Sequence, residues 1–237
     1  RAEGQDKLQL MFRRVHQAGG RMLKLVDELL DISRIGSTVG SIKLRLMPVA
    51  EPLREVVDEL RALAQQRHLT LRLHVDDALQ DAQGRIDPPR LQQVLRNVLA
   101  NALRFAPAES AVEVTLQSQE GMAVTTVRDH GPGVPVDEVE SIFEPFVQSS
   151  RTKDGSGGTG LGLAVVYGVV SNHRGFIEVE STPGLGSSFI VHLPIETADP
   201  LALIDEGGAA TEIPVGTESV LVIEDESSLR TLLRVVL

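Results

Sequence analysis

From Leu8 to Ile32 the apolar residues fall at alternating steps of three and four: Leu8, Met11, Val15, Ala18, Met22, Leu25, Leu29 and Ile32. This is heptad spacing, which predicts a helix that buries a narrow stripe against a partner helix. Gly19 and Gly20 sit inside it, each costing about 1 kcal/mol relative to alanine, so packing has to support the helix. A core helix of the following domain is the other reading, although the stripe is narrow for one. The pattern breaks at Gly36 to Ser41.

Alternation with period two then predicts short strands at Ile42–Leu46 and Leu69–Val75. Between them a helix with Pro52 in its first turn runs to about Gln66. Pro88-Pro89 opens an amphipathic helix whose apolar face is Leu91, Val94, Leu95, Val98, Leu99 and Ala102. Residues 111–128 read as a hairpin around Glu120-Gly121. A glycine-rich stretch, 155–162, leads into a helix through Ala164–Ser171, and strands near 176–181 and 187–193 flank Thr182-Pro183-Gly184. The expected fold class is α+β: a two-layer α/β sandwich with one mostly antiparallel sheet and one helical layer. Residues 196–217, with Pro200, Gly207-Gly208 and Pro214, read as a linker. Beyond it Ser219–Ile223 reads as an apolar strand ending in Glu224-Asp225-Glu226.

A chain of 237 residues accommodates one cored domain plus smaller pieces. Its net charge of −10 argues against a nucleic-acid partner, because a phosphate backbone needs a basic face. An anionic ligand therefore has to be held by local donors. The absence of cysteine excludes disulfides and thiolate metal sites. No apolar run approaches the roughly 20 residues that span a bilayer. The chain starts at Arg1 without a methionine and stops at Leu237 inside an apolar helical pattern, so it reads as a piece of a longer protein.

Three segments carry candidate chemistry. In RLQQVLRNVLANALRFAP, Asn97 and Asn101 lie four residues apart on one helical face that Arg104 shares. An amide oxygen there is a reasonable Mg²⁺ ligand and Arg104 a phosphate partner, although a solvated helix face carries the same residues. In VRDHGPGVP, Asp129 ends a strand, and Gly131 and Gly133 form a tight turn. Its carboxylate can accept from an exocyclic amine such as that of adenine, though Asp-x-Gly-x-Gly is also an ordinary turn. In GSGGTGLGLAVV, a glycine loop runs into a helix near Gly160, giving free N–H groups and a positive dipole end for an anion. It lacks the Gly-Lys-Ser/Thr of a Walker loop. Between them, VQSSRTKDGS offers Arg151 and Lys153 on a polar stretch that reads as a lid over phosphates.

Taken in order, the asparagine helix, the Asp-x-Gly-x-Gly turn, IFEPF, the basic lid, GTGLGL and PGLGSSF resemble the ATP-binding domain of sensor histidine kinases. This is a Bergerat-type fold of the gyrase, chaperone, histidine kinase and mismatch-repair ATPase superfamily. The resemblance covers residues 40–195. Residues 1–36 resemble the second helix of the dimerisation and phosphotransfer hairpin, and residues 218–237, after the linker, the start of a receiver domain. The parent would then be a hybrid kinase, a homodimer working in the cytoplasm, free or membrane-anchored. The resemblance implies ATP and Mg²⁺ as ligands, with Asn101 on the metal, Asn97 supporting nucleotide and metal, Arg104 on phosphate and Phe105 lining the nucleotide. Asp129 would bind the adenine amine, with Gly131 and Gly133 allowing its approach. Gly158, Thr159, Gly160, Leu161 and Gly162 would hold phosphates with Arg151 and Lys153. Phe143 and Phe146 would brace the lid or serve the core. Glu224 and Asp225 would bind Mg²⁺ in an intact receiver.

Related ATPases place a water-activating glutamate four residues before the metal-binding asparagine. Asn97 occupies that position, and an amide is no general base, so the resemblance favours phosphoryl transfer over hydrolysis. The family phosphorylates a histidine followed by Glu/Asp-Leu-Arg-x-Pro, and none of the six histidines has that context. The implied partners are therefore a phosphoacceptor histidine outside this chain and a response regulator or attached receiver. The competing functions are a non-catalytic nucleotide-binding regulatory module and a superfamily ATPase or serine kinase.

Overall fold

The computed structural model describes residues 42–152 and 158–195, with scattered positions between Met11 and Leu30. Contacts divide the chain into two units, Arg1–Asp199 and Pro200–Leu237. The second unit, with Glu224 and Asp225, lies outside the described residues, as do Lys153 and the proposed linker. At the N-terminal end the described positions, among them Met11, Ala18, Met22 and Leu25, are helical. Met11, Phe12, Met22, Leu23 and Leu29 are exposed there. No helix among the described residues is long and apolar enough to cross a membrane.

The sandwich begins with strand β1 (Arg45–Pro48), helix α1 (Ala50–Gln66) and strand β2 (Thr70–Val75). Strand β3 (Gln83–Ile86) and helix α2 (Pro88–Phe105) follow, then strands β4 (Ala111–Gln119) and β5 (Met122–Arg128). Helix α3 (Gly162–Asn172) and strands β6 (Phe176–Thr182) and β7 (Gly186–Pro194) complete it. Five strands form one sheet in the order β2-β4-β5-β7-β6, parallel only between β2 and β4, which is the mostly antiparallel sheet expected. The expected strand at Ile42–Leu46 lies further along, at Arg45–Pro48, because it pairs with β3 in a separate two-stranded sheet. The sequence pattern did not predict β3. The glycine loop also enters its helix two residues later than Gly160, at Gly162.

One face of the large sheet and the three helices share the core. Leu53, Val56 and Val57 of α1, Leu91, Val94, Leu95, Val98 and Leu99 of α2, and Val165, Val166 and Val169 of α3 are buried against Val112, Val114, Leu116, Val127, Phe189 and Val191. Each such side chain contributes on the order of 1.5–3 kcal/mol over its exposed state. Helix α2 is positioned by its ends. The Asp87 carboxylate accepts from the Arg90 N–H, two prolines fill the first turn, and Ala106 turns extended before Pro107. At the other end Arg67 donates from Nη1 to the Leu103 and Arg104 carbonyls, satisfying groups the helix leaves open.

Candidate functional site

The apolar stripe of α2 faces the core, which turns Asn97, Asn101 and Arg104 to its half-buried flank. Asn97 donates from Nδ2 to the Gly162 carbonyl at 3.1 Å, tying the middle of α2 to the first turn of α3. Arg104, about two turns on, lies against Gly158: a Cβ built there would come within 2.9 Å of Nη1. The same guanidinium sits 4.9 Å over the Phe105 ring. Asn101, between them, has no side-chain hydrogen bond among the described residues, so its amide oxygen is uncommitted.

Phe105 ends α2 and meets the Asp129 turn. A Cβ on Gly131 would lie 2.9 Å from the Phe105 carbonyl and 2.8 Å from Asp129 Oδ1, so only glycine fits between helix end and carboxylate. Asp129 is 5% exposed and accepts from the Gly131 N–H at 2.7 Å. Burial raises its pKa above the ordinary carboxylate value, against the pull of the Gly131 and Ser187 N–H groups and His130. A carboxylate held in this state gains from a donor that reaches it.

The PGLGSSF turn buttresses this carboxylate. Asp129 N–H donates to the Ser187 carbonyl at 2.9 Å and Gly184 N–H to the Pro132 carbonyl at 2.8 Å. Val134 N–H donates to Ser181 Oγ at 2.7 Å. Gly133 packs on the Thr182 carbonyl, and Gly186, at φ 103°, packs on the Asp129 carbonyl, where a Cβ would come to 2.0 Å. Ser187 falls inside the PGLGSSF motif, whereas Ser181 and, behind the end of α2, Arg67 had no place in the sequence prediction.

The glycine loop is held from a different side. Phe146 N–H donates to the Gly160 carbonyl at 2.9 Å, and Gly160 adopts φ 72°, with no room for a Cβ beside the Phe146 backbone. The Phe146 ring is 63% exposed, while Phe143 packs against the core with its ring 6.0 Å from that of Tyr167. Leu161 is fully buried and caps α3, and its N–H donates to Thr159 Oγ1 at 3.2 Å. Arg151 is exposed in a short turn at Ser150–Thr152. Thus Asn97, Arg104, Phe105, Asp129, Gly131, Gly158 and Gly162 are brought together by direct contacts along α2, and Gly133 and Gly160 secure the two turns. Nothing in these contacts brings Arg151 to them.

The family described as histidine kinase-, DNA gyrase B-, and HSP90-like ATPase matches residues 86–197, which holds all of this constellation. Sensor histidine kinase RppB of Synechocystis sp. is 34% identical over 190 residues, 80% of this chain and 41% of RppB. Full-length ShkA in complex with AMPPNP has a TM-score of 0.67 at 30% identity, over 77% of this chain and 37% of ShkA. The structure of the mycobacterial sensor histidine kinase MprB has a TM-score of 0.52 at 30% identity, and this chain covers 95% of it with 61% of its own residues. The chain thus spans about two fifths of the length of RppB while covering nearly all of the MprB structure. It belongs to the sensor histidine kinases of two-component signalling and contains their ATPase-type catalytic domain.

Proposed function

We propose that this chain binds Mg-ATP along α2 and directs the γ-phosphate to a histidine carried by a helical hairpin outside it. The observation that carries this reading is the double engagement of one helix: α2 meets the Asp129 turn at Phe105 and the glycine loop at Asn97 and Arg104. An adenine amine at Asp129 and phosphates at Gly158 and Arg104 suit these two ends. Asp129 accepts the amine, Gly131 and Gly133 allow the close-packed turn that presents it, and Arg104 with the loop N–H groups of 158–162 faces negative charge. Arg151 and Lys153 add cationic side chains from the neighbouring stretch.

The residues present fit a nucleotide-borne metal. Among the described residues no group of three or more His, Cys, Asp or Glu is arranged to hold an ion alone, while the Asn101 amide oxygen is uncommitted on the correct flank. Mg²⁺, held by Asn101 and phosphate oxygens, would neutralise charge on the phosphates. Asn97 does not serve as a base. Its amide donates to the Gly162 carbonyl, so it joins α2 to the glycine loop, and water is left without an activating carboxylate at that position.

We further assign residues 1–36 to the second hairpin helix, 40–195 to the catalytic domain, 196–217 to a linker and 218–237 to the start of a receiver. The parent is then a dimeric hybrid kinase in the cytoplasm, with a response regulator or its own receiver as the next acceptor. Calorimetric titration with ATP tests the site. Wild-type affinity should tighten with Mg²⁺, and Asn101→Ala should lose that increment while keeping metal-free binding. An intact Mg²⁺ increment in the variant removes Asn101 from the metal, and no ATP binding by the wild type removes the proposal.

A further inference from the structure

Gln148 lies two residues beyond the IFEPF motif, which gives it no role. Its half-buried side chain donates from Nε2 to the Gly158 carbonyl at 2.6 Å, and Phe146 N–H donates to the Gly160 carbonyl at 2.9 Å. Residues 146–148 therefore run antiparallel beside 158–160, and both carbonyls are turned toward them. Gly158 also meets Arg104, whose Nη1 would lie 2.9 Å from a Cβ at that position.

A peptide carbonyl is the negative end of a strong local dipole. In a loop that holds an anion it has to face away, so that N–H groups and cations meet the negative charge. The Gly160 carbonyl is fixed by a main-chain bond. The Gly158 carbonyl is fixed by a side chain, and glycine has no Cβ to resist rotation once that bond is lost.

We propose that Gln148 is a positioning residue for the nucleotide phosphates: by engaging the Gly158 carbonyl it keeps that oxygen out of the anion site beside Arg104. The inference rests on the proposed nucleotide site and deepens it. Gln148 acts through the loop backbone and touches no reacting atom. Its loss penalises ligands that carry phosphates and leaves the adenine end alone.

Titrations of the full chain with ATP, ADP and adenosine test this in wild type, Gln148→Met and Gln148→Asn. Methionine has nearly the same length and cannot donate, and asparagine keeps the donor but shortens its reach. Gln148→Met should weaken ATP and ADP about tenfold, the scale of one hydrogen bond, with adenosine unchanged. Gln148→Asn should fall between. Unchanged adenosine affinity also certifies that the variant is folded. Equal ATP affinity in wild type and Gln148→Met, or an equal loss for adenosine and ATP, overturns the inference. Absence of ATP binding by the wild type instead overturns the underlying site.

Discussion

Asp129 combines two demands that pull against each other. Its carboxylate is buried beside Gly131 and the Ser187 backbone, and burial raises its pKa above the ordinary value of 3.8. In the folded chain it therefore binds its proton more readily than in the unfolded chain. Stability gained from this group is present in acid and is lost as pH rises through the raised folded value. Above the raised folded value the ligand-free protein bears the cost of an ionised buried group, and the proposed adenine amine would offset it. Asp129→Asn removes the charge while an amide oxygen still accepts from Gly131. Thermal unfolding at neutral pH should show the variant at or above wild type, the gain vanishing in acid. ATP affinity should fall roughly 10- to 100-fold, the scale of a charge-assisted hydrogen bond. A lower melting temperature together with unchanged ATP affinity contradicts this account of the residue.

Helices α2 and α3 are joined at two levels. Near the site Asn97 donates to Gly162. At the far end Asp87 N–H donates to His173 Nε2 at 3.0 Å, His173 Nδ1 donates to the Val169 carbonyl at 2.8 Å, and the Asp87 carboxylate accepts from Lys43 N–H at 2.8 Å. The imidazole must be neutral to accept at Nε2. Burial lowers its pKa below 6.5, against the Val169 carbonyl and the Asp87 charge. The unfolded chain therefore takes up the proton first. The stability from His173 is complete above about pH 6.5 and is lost as pH falls through the interval down to the lowered folded value. His173→Gln keeps an acceptor and a donor but does not titrate. Its unfolding free energy should depend less steeply on pH just below 6.5 than that of wild type, measured by urea titration at several pH values. Parallel profiles would mean that this pair does not set the acid sensitivity.

Among the described residues the three helices of the sandwich and most strands were legible in the sequence because local rules set them. Asp87-Pro88-Pro89 caps and starts α2, Glu120-Gly121 turns β4 into β5 with both residues at positive φ, and period two marks the sheet. Strand β3 escaped because four residues with one apolar end, Gln83–Ile86, carry no alternation of their own. The order of the motifs along the chain identified the candidate residues. What holds them did not appear: Val134 and Ser181 are 47 residues apart, and Gln148 meets Gly158 across a loop, contacts that only the packed turns create. The net charge of −10 makes those local donors the more necessary for an anionic ligand.

Incubation of the full chain with γ-labelled ATP and Mg²⁺, alone and with a separate hairpin polypeptide bearing the phosphoacceptor histidine, is the most direct test of the central claim. Acid-labile label should accumulate on the hairpin and not on this chain, with little free phosphate released in the hairpin's absence. Phosphohistidine on this chain, or steady ATP hydrolysis with an unlabelled hairpin, would contradict it.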